Sequence, residues 1–384
     1  MSSEGKKALE YVQKLTLQNM FWFSSIFDGN ALKNLSALDI TICPNNQTDL
    51  SMLSALQKIQ TLEEIKMSFQ ANDSRNEKQF LEYFRLPNHI KRVNLLLVNF
   101  KWDTTRLTKK NRQIIQKEFD NNQRFTLFFK HWKELKHLKD FSLTLSEEFD
   151  SSIRCPYLAG NFASRIIRQV SSLENFKFSY SLSSPKHKLF APPPELPVKP
   201  LNFEELWKAL ESSKNTLQEL SIDAPEIAFP TKRSGLNYQF SCLKSVSLGD
   251  CVLWAQDLCH FWNEIKSLKQ VKIHGMRFSS EKDFESFLSD IRKIPKEMSL
   301  DCSLNAANIN FKALVRFLAV FIKEAEVQGG LKLALTNLQT KNDSELERSR
   351  ILLENSATLK KFKIIKEMNG ILLTETEERD SPRY

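Results

Sequence analysis

Apolar residues recur along this chain in one short phrase: an apolar residue, two variable ones, a second apolar residue, one variable, a third apolar residue. Leu35-Ser-Ala-Leu38-Asp-Ile40, Leu217-Gln-Glu-Leu220-Ser-Ile222, Leu243-Lys-Ser-Val246-Ser-Leu248 and Leu268-Lys-Gln-Val271-Lys-Ile273 are its clearest copies. The phrase begins at positions 12, 35, 62, 90, 138, 173, 217, 243, 268, 295, 330 and 359, so most copies lie 23 to 29 residues apart and the longest intervals mark insertions. Pro295 and Gly330 occupy the first place of their phrases, which makes those two copies degenerate.

Within each phrase the fourth and sixth residues alternate with polar neighbours, as in Phe141-Ser-Leu143, the period-two pattern of a strand with one buried face. Between phrases the period becomes helical. Phe203, Leu206, Trp207 and Leu210 follow 0, 3, 4, 7 spacing behind Asn202, with Glu205 placed to complete a capping box. Ser280 precedes Phe284, Phe287, Leu288 and Ile291 in the same way, and Leu258 to Ile265 and Phe311 to Leu318 repeat the spacing. Strand then helix, many times in one direction, predicts an α/β solenoid of about twelve irregular repeats, with parallel strands on a concave face and helices on the convex one.

Counting nine places from Leu35 reaches Cys43, and nine from Leu243 reaches Cys251. On these residues the chain resembles the leucine-rich repeat family, in its longer ribonuclease-inhibitor-like type, whose phrase carries Asn or Cys at that place. Asn19, Asn99 and Asn337 fall one position off, and other copies carry Gln70, Ser146, Ser181 or Pro225. The resemblance implies a horseshoe-shaped binding protein. It spans roughly 350 residues, with a single solenoid over 1–367 broken by a basic helical insert at about 103–137 and a Pro-rich loop at 183–200. An acidic tail, 368–384, is expected to be disordered.

Composition narrows the function. Apolar residues make up 41% of the chain and 28 residues are Phe, enough for a continuous aromatic core, while only 9 Gly argue against phosphate-cradling loops. The six Cys, at 43, 155, 242, 251, 259 and 302, have no paired spacing, which points to free thiols in a reducing compartment. Met1-Ser-Ser-Glu-Gly-Lys-Lys lacks the apolar stretch of a secretory signal, and Arg316 interrupts the longest apolar run, Ala313 to Ile322. An intracellular protein, cytoplasmic or nuclear and without a membrane partner, is expected.

No glycine-rich phosphate loop, His-Glu-x-x-His or Cys-x-x-Cys occurs, so no enzyme activity, cofactor, metal or small-molecule substrate is expected. Cys242, Cys251, Cys259 and His260 are the nearest approach to a metal set and read better as small core residues. Pro194-Glu-Leu-Pro197 reads as an extended linker.

Two surfaces remain. Residues at the third, fifth and seventh places of each phrase face away from the core, which nominates Lys66, Asn94, Ser142, Lys177, Ser221, Lys272 and His274 for contact with an extended protein partner. The net charge of +9 is concentrated between 101 and 139, where eleven Lys and Arg face four acidic residues. There Lys109, Lys110, Arg112, Lys117, Arg124, Lys130 and Lys133 interleave with Phe125, Phe128, Phe129 and Trp132. Either this segment binds RNA by neutralising phosphates and stacking bases, or its aromatics pack down while its lysines face water or an acidic protein. His131 and His137 read as part of a partly exposed helix face. A scaffold in a larger assembly is the leading expectation, an RNA-associated subunit of a ribonucleoprotein the second. A ubiquitin-ligase substrate receptor or GTPase regulator is a third.

Overall fold

A computed structural model describes residues 11–18, 32–44, 50–99, 123–148, 156–183, 201–224, 227–228, 239–249, 251–253, 264–278, 298–305, 331–336, 362–367 and 370–375. Lys109, Lys110, Arg112 and Lys117, the Pro-rich loop, the helices expected after Ser280 and over Phe311 to Leu318, and Cys259 with His260 lie outside the described residues. Packing divides the chain into two compact units, Met1–Leu201 with Glu205–Leu217, and Asn202–Glu204 with Gln218–Tyr384.

The first unit is α/β. Six strands follow in sequence order, β1 (Lys14–Gln18), β2 (Ala37–Ile42), β3 (Glu64–Gln70), β4 (Arg92–Val98), β5 (Asp140–Glu148) and β6 (Asn175–Ser183), each parallel to the one before. The fourth residues of six successive phrases, Leu15, Leu38, Ile65, Val93, Phe141 and Phe176, align in one cross-strand row. Position 90 to position 138 is the longest interval, yet β4 and β5 pair without a slip. The insert therefore leaves the sheet between strands rather than within one.

Helices α1 (Ser74–Tyr83), α2 (Gln123–Trp132) and α3 (Pro156–Ile167) occupy three of the intervals, and α4 (Phe203–Leu210) has the bounds its spacing predicts. The Asp73 carboxylate accepts the Asn76 amide at 2.7 Å and caps α1. Phe80 of α1 stacks on Phe69 of β3 with centroids 4.4 Å apart, and Trp132 of α2 lies 4.8 Å from Phe141 of β5. Phe128 joins them, 5.7 Å from Phe162 of α3 and 6.3 Å from Phe80. All six rings are buried. This cluster uses the Phe-rich composition as one connected filling between helices and strands.

A recurrent hydroxyl ties four of the rungs to the one before. Thr61, Ser172 and Thr216, each immediately before a phrase, donate to the carbonyls of Leu35, Leu138 and Leu173 at 2.8, 3.0 and 2.8 Å. Ser267 does the same to Leu243 in the second unit, at 2.8 Å. Those carbonyls belong to the first residue of the preceding phrase, which the core would otherwise leave without a donor.

After the short strand β7 (Leu201–Asn202), the second unit carries β8 (Glu219–Asp223), β9 (Ile227–Ala228), β10 (Ser245–Leu248), β11 (Cys251–Leu253), β12 (Gln270–Phe278), β13 (Ser299–Asn305) and β14 (Leu331–Thr336). Strands β8, β10, β12, β13 and β14 pair in that order, all parallel, and β9, β11 and the end of β12 form a second short parallel set. Gly249 is required where β10 ends, because a Cβ there would sit 2.9 Å from the Asp223 Cα. At Gly275, with φ of 70°, the β12–β13 register shifts and the Gly275 amide donates to Ser303 Oγ at 2.7 Å.

Three expectations change in this unit. Val271 pairs with Leu300 and Leu300 with Leu331, so the phrases counted from Pro295 and Gly330 are each framed two residues away from their true register. The phrase at 359 adds no parallel rung: β15 (Phe362–Glu367) pairs antiparallel with β16 (Gly370–Glu375), which pairs antiparallel with β14. And β16 occupies part of the stretch expected to be a disordered tail.

Leu220 is 1% exposed at the centre of β8, so Leu220→Ala should cost about 2–4 kcal/mol through the cavity it leaves. Thr61→Val, which removes only the hydroxyl tie, should cost about 1 kcal/mol. Urea unfolding of the two variants beside the parent chain checks both values and their order.

Candidate functional site

The side of the sheet away from the core is built by alternation. In β3, Ile65, Met67 and Phe69 are at most 1% exposed, while Lys66 between them faces solvent. The same pleat exposes Asn94 and Lys177, leaves Ser142 half-buried in the first unit, and in the second leaves Ser221 and Lys272 half-buried and His274 exposed. Register then gathers these residues. Thr16, Asp39, Lys66, Asn94, Ser142 and Lys177 form one unbroken cross-strand row, and Ser221, Ser247, Lys272 and Asp301 form another within the second unit. All seven nominated strand residues lie on solvent-facing positions, and six of them lie in these two rows.

Charges on the first unit's polar side are largely matched across strands. Lys66 Nζ lies 2.8 Å from Asp39, and Arg92 lies 3.2 Å from Glu64 and 3.7 Å from Asp140, whose other carboxylate oxygen accepts the Asn175 amide at 2.5 Å. At the strand entrances Lys91 meets Glu63 and Lys139 meets Glu174, both at 2.7 Å. The hydrogen bond from Lys91 holds the Glu63 carboxyl below its ordinary range, and the one to Glu174 holds the Lys139 ammonium above its own. These pairs are exposed, so each contributes little to stability. Their effect is to fix which way the side chains point.

Compared with known proteins, the chain matches no family model and no curated sequence. Its functional reading therefore comes from its own geometry.

The basic segment divides in two. Phe128, Phe129 and Trp132 of α2 are buried, so they pack onto the strands and are not a stacking platform for bases. Lys130 and Lys133 are exposed, and the backbone of Arg124 lies in α2. Lys130, Lys133, Glu134, Lys136 and His137 line an open recess of about 460 Å³ together with Asn88.

His131 was expected on a partly exposed face and is instead 4% exposed. Its Nε2 accepts the Leu86 backbone N–H at 2.7 Å, which places the proton of the neutral ring on Nδ1, 3.6 Å from Glu134 Oε2. Burial and the nearby Arg85 guanidinium push its pKa down to about 4, against the pull of Glu134. Sequence spacing holds the signal in retrospect: Phe128, His131, Trp132 and Leu135 follow 0, 3, 4, 7, so His131 sits in the apolar stripe.

Cys43, expected as a ladder residue, is exposed and donates to Gln70 Oε1 at 3.6 Å, whereas Cys302 is buried and its thiol pKa is pushed up by burial. Among the described residues no group of three His, Cys, Asp or Glu could hold a metal ion, and no helix is long and apolar enough to cross a membrane.

His131 predicts a pH response. Because its folded pKa lies below the ordinary value of 6.5, its contribution is complete above that value and is lost as pH falls from 6.5 toward 4, a total of about 3 kcal/mol. Urea midpoints between pH 7.5 and 5.0 should fall for the parent chain. The His131→Gln chain, which keeps an acceptor for Leu86 but cannot titrate, should show a flatter profile; identical profiles would remove His131 as the cause.

Proposed function

We propose that this chain is an irregular leucine-rich repeat solenoid acting as a non-enzymatic scaffold, whose solvent-facing strand side holds an extended segment of a protein partner in a larger intracellular assembly. In this reading the helices line the convex side and the strands the concave one. The observation that carries it is the row Thr16, Asp39, Lys66, Asn94, Ser142 and Lys177, six polar side chains in consecutive register on six parallel strands.

Strands lie about 4.8 Å apart, so five steps extend about 24 Å, the length of roughly seven extended residues. A row of that kind offers many separated polar contacts and no enclosing cavity, which suits a macromolecular segment better than a small molecule. Mixed charge favours a partner that is itself mixed, since a uniformly acidic one would meet Asp39 and a uniformly basic one Lys66 and Lys177. The RNA-associated reading is less supported because Phe128, Phe129 and Trp132, three of the four rings it would stack on, are buried.

Lys177 and Lys272 are the substitutions of choice because they sit on the polar side of each unit and neither enters the core. Lys177→Glu with Lys272→Glu should weaken partner capture from native extract at least about tenfold while leaving the melting temperature within about 1 °C. Cross-links between the partner and Lys66, which the variant keeps, should disappear in parallel. Undiminished capture, with cross-links mapping elsewhere, would rule out the strand side as the contact.

A further inference from the structure

We infer that the recess lined by Asn88, Lys130, Lys133, Lys136 and His137 is an anchoring site for the anionic side chains of a protein partner's acidic segment. It deepens the scaffold reading only in taking a protein as partner; the contact lies at the end of α2, away from the polar row of the strands.

Three observations support the site. Its lysines stand apart from most cations around them. Lys66, Lys91, Arg92, Lys139 and Arg168 each meet a carboxylate within 3.2 Å, whereas Lys130, Lys133 and Lys136 have no acidic partner among the described residues, although Glu134 lies in the same recess. Three unmatched ammonium groups around one concavity repel each other, and an anion entering it relieves that repulsion.

The walls are also held. The loop carrying Asn88 is fastened to α2 by the Leu86 N–H bond to buried His131, and is itself closed by Arg85 Nη1 donating to Phe84 O at 2.7 Å and by the Ile90 N–H on Pro87 O at 3.1 Å. Beneath, Trp132 and Leu135 are fully packed. Little ordering remains to be done on binding.

The third observation selects the ligand. Asn88 and His137 add hydrogen-bond donors beside the ammonium groups, fitting carboxylate or phosphate oxygens, while Phe128, Phe129 and Trp132 are buried and offer bases nothing to stack on. Side-chain carboxylates and phosphorylated serines share this chemistry.

The test uses the full chain and fluorescein-labelled peptides identical except for four central residues: glutamates, phosphoserines or glutamines. Fluorescence anisotropy should show the first two binding and the glutamine peptide at least about tenfold weaker. Tighter binding of the phosphoserine peptide would assign a phosphorylated segment, and equal binding a plainly acidic one. Lys130→Glu with Lys133→Glu and Lys136→Glu should abolish binding of both at an unchanged melting temperature and create binding to a lysine version of the peptide. Equal affinity for the glutamine peptide, or retained affinity in the triple variant, would overturn the site. So would oligouridylate displacing the acidic peptide more strongly than unlabelled peptide does. Lys177→Glu with Lys272→Glu should leave peptide affinity intact, which separates failure of this site from failure of the strand-side contact.

Discussion

A strand with one apolar face cannot bury that face by itself, and everything in this molecule follows from how the next rung does it. The two ends of the comparison lie side by side. Leu38 and Ile40 of β2, flanked by β1 and β3, are 2% and 0% exposed, while Leu15 and Leu17, at the same phrase positions in the outermost strand β1, are only half-buried. The phrase is the same; the number of neighbours differs. Stability in such an array is a sum over adjacent rungs, with backbone pairing and shared apolar volume contributed at each step and a hydroxyl tie added at four of them.

That dependence also explains where the chain tolerates extra sequence. Rungs touch through their strands and through the helices stacked against them, so a segment added between β4 and α2 costs little beyond loop-closure entropy so long as β4 and β5 still meet in register, as they do. The helix at the insert's end is then recruited into the core: α2 contributes Phe128 and Trp132 to the ring cluster shared by Phe80, Phe84, Phe141 and Phe162. Its charged residues are left on the outside, and the recess forms where they gather beside the Asn88 loop.

How much of this was legible in the chain depends on the period that carried it. Alternation and phrase spacing located all six strands of the first unit with their frames correct, because a strongly apolar residue opens each phrase at Leu35, Leu62, Ile90, Leu138 and Leu173. The same period hid the error at Pro295 and Gly330: a slip of two residues keeps every side chain on its proper face, so alternation alone cannot detect it. The antiparallel close of β14, β16 and β15 was unreadable because β15 carries the phrase and only its pairing partner departs from the pattern. The polar rows were legible as faces but not as rows, since register depends on neighbours that no single phrase encodes. The hydroxyls at Thr61, Ser172, Thr216 and Ser267 did stand in plain view, one place before the phrase.

The two candidate surfaces differ in what they ask of a partner. On the strand side most charges already satisfy each other, and because those pairs are exposed a partner can exchange them at little cost, so recognition there depends on matching a sequence of contacts along the row. Its register is set by the backbone, which makes the spacing rigid and the selectivity a matter of length and order. At the recess Lys130, Lys133 and Lys136 pair with no carboxylate among the described residues, so their field attracts at longer range and with less regard for sequence. On the proposed reading, a chain carrying both would capture an acidic segment first and read a neighbouring segment second, the order that electrostatics imposes when one contact acts over a Debye length and the other only at van der Waals distance.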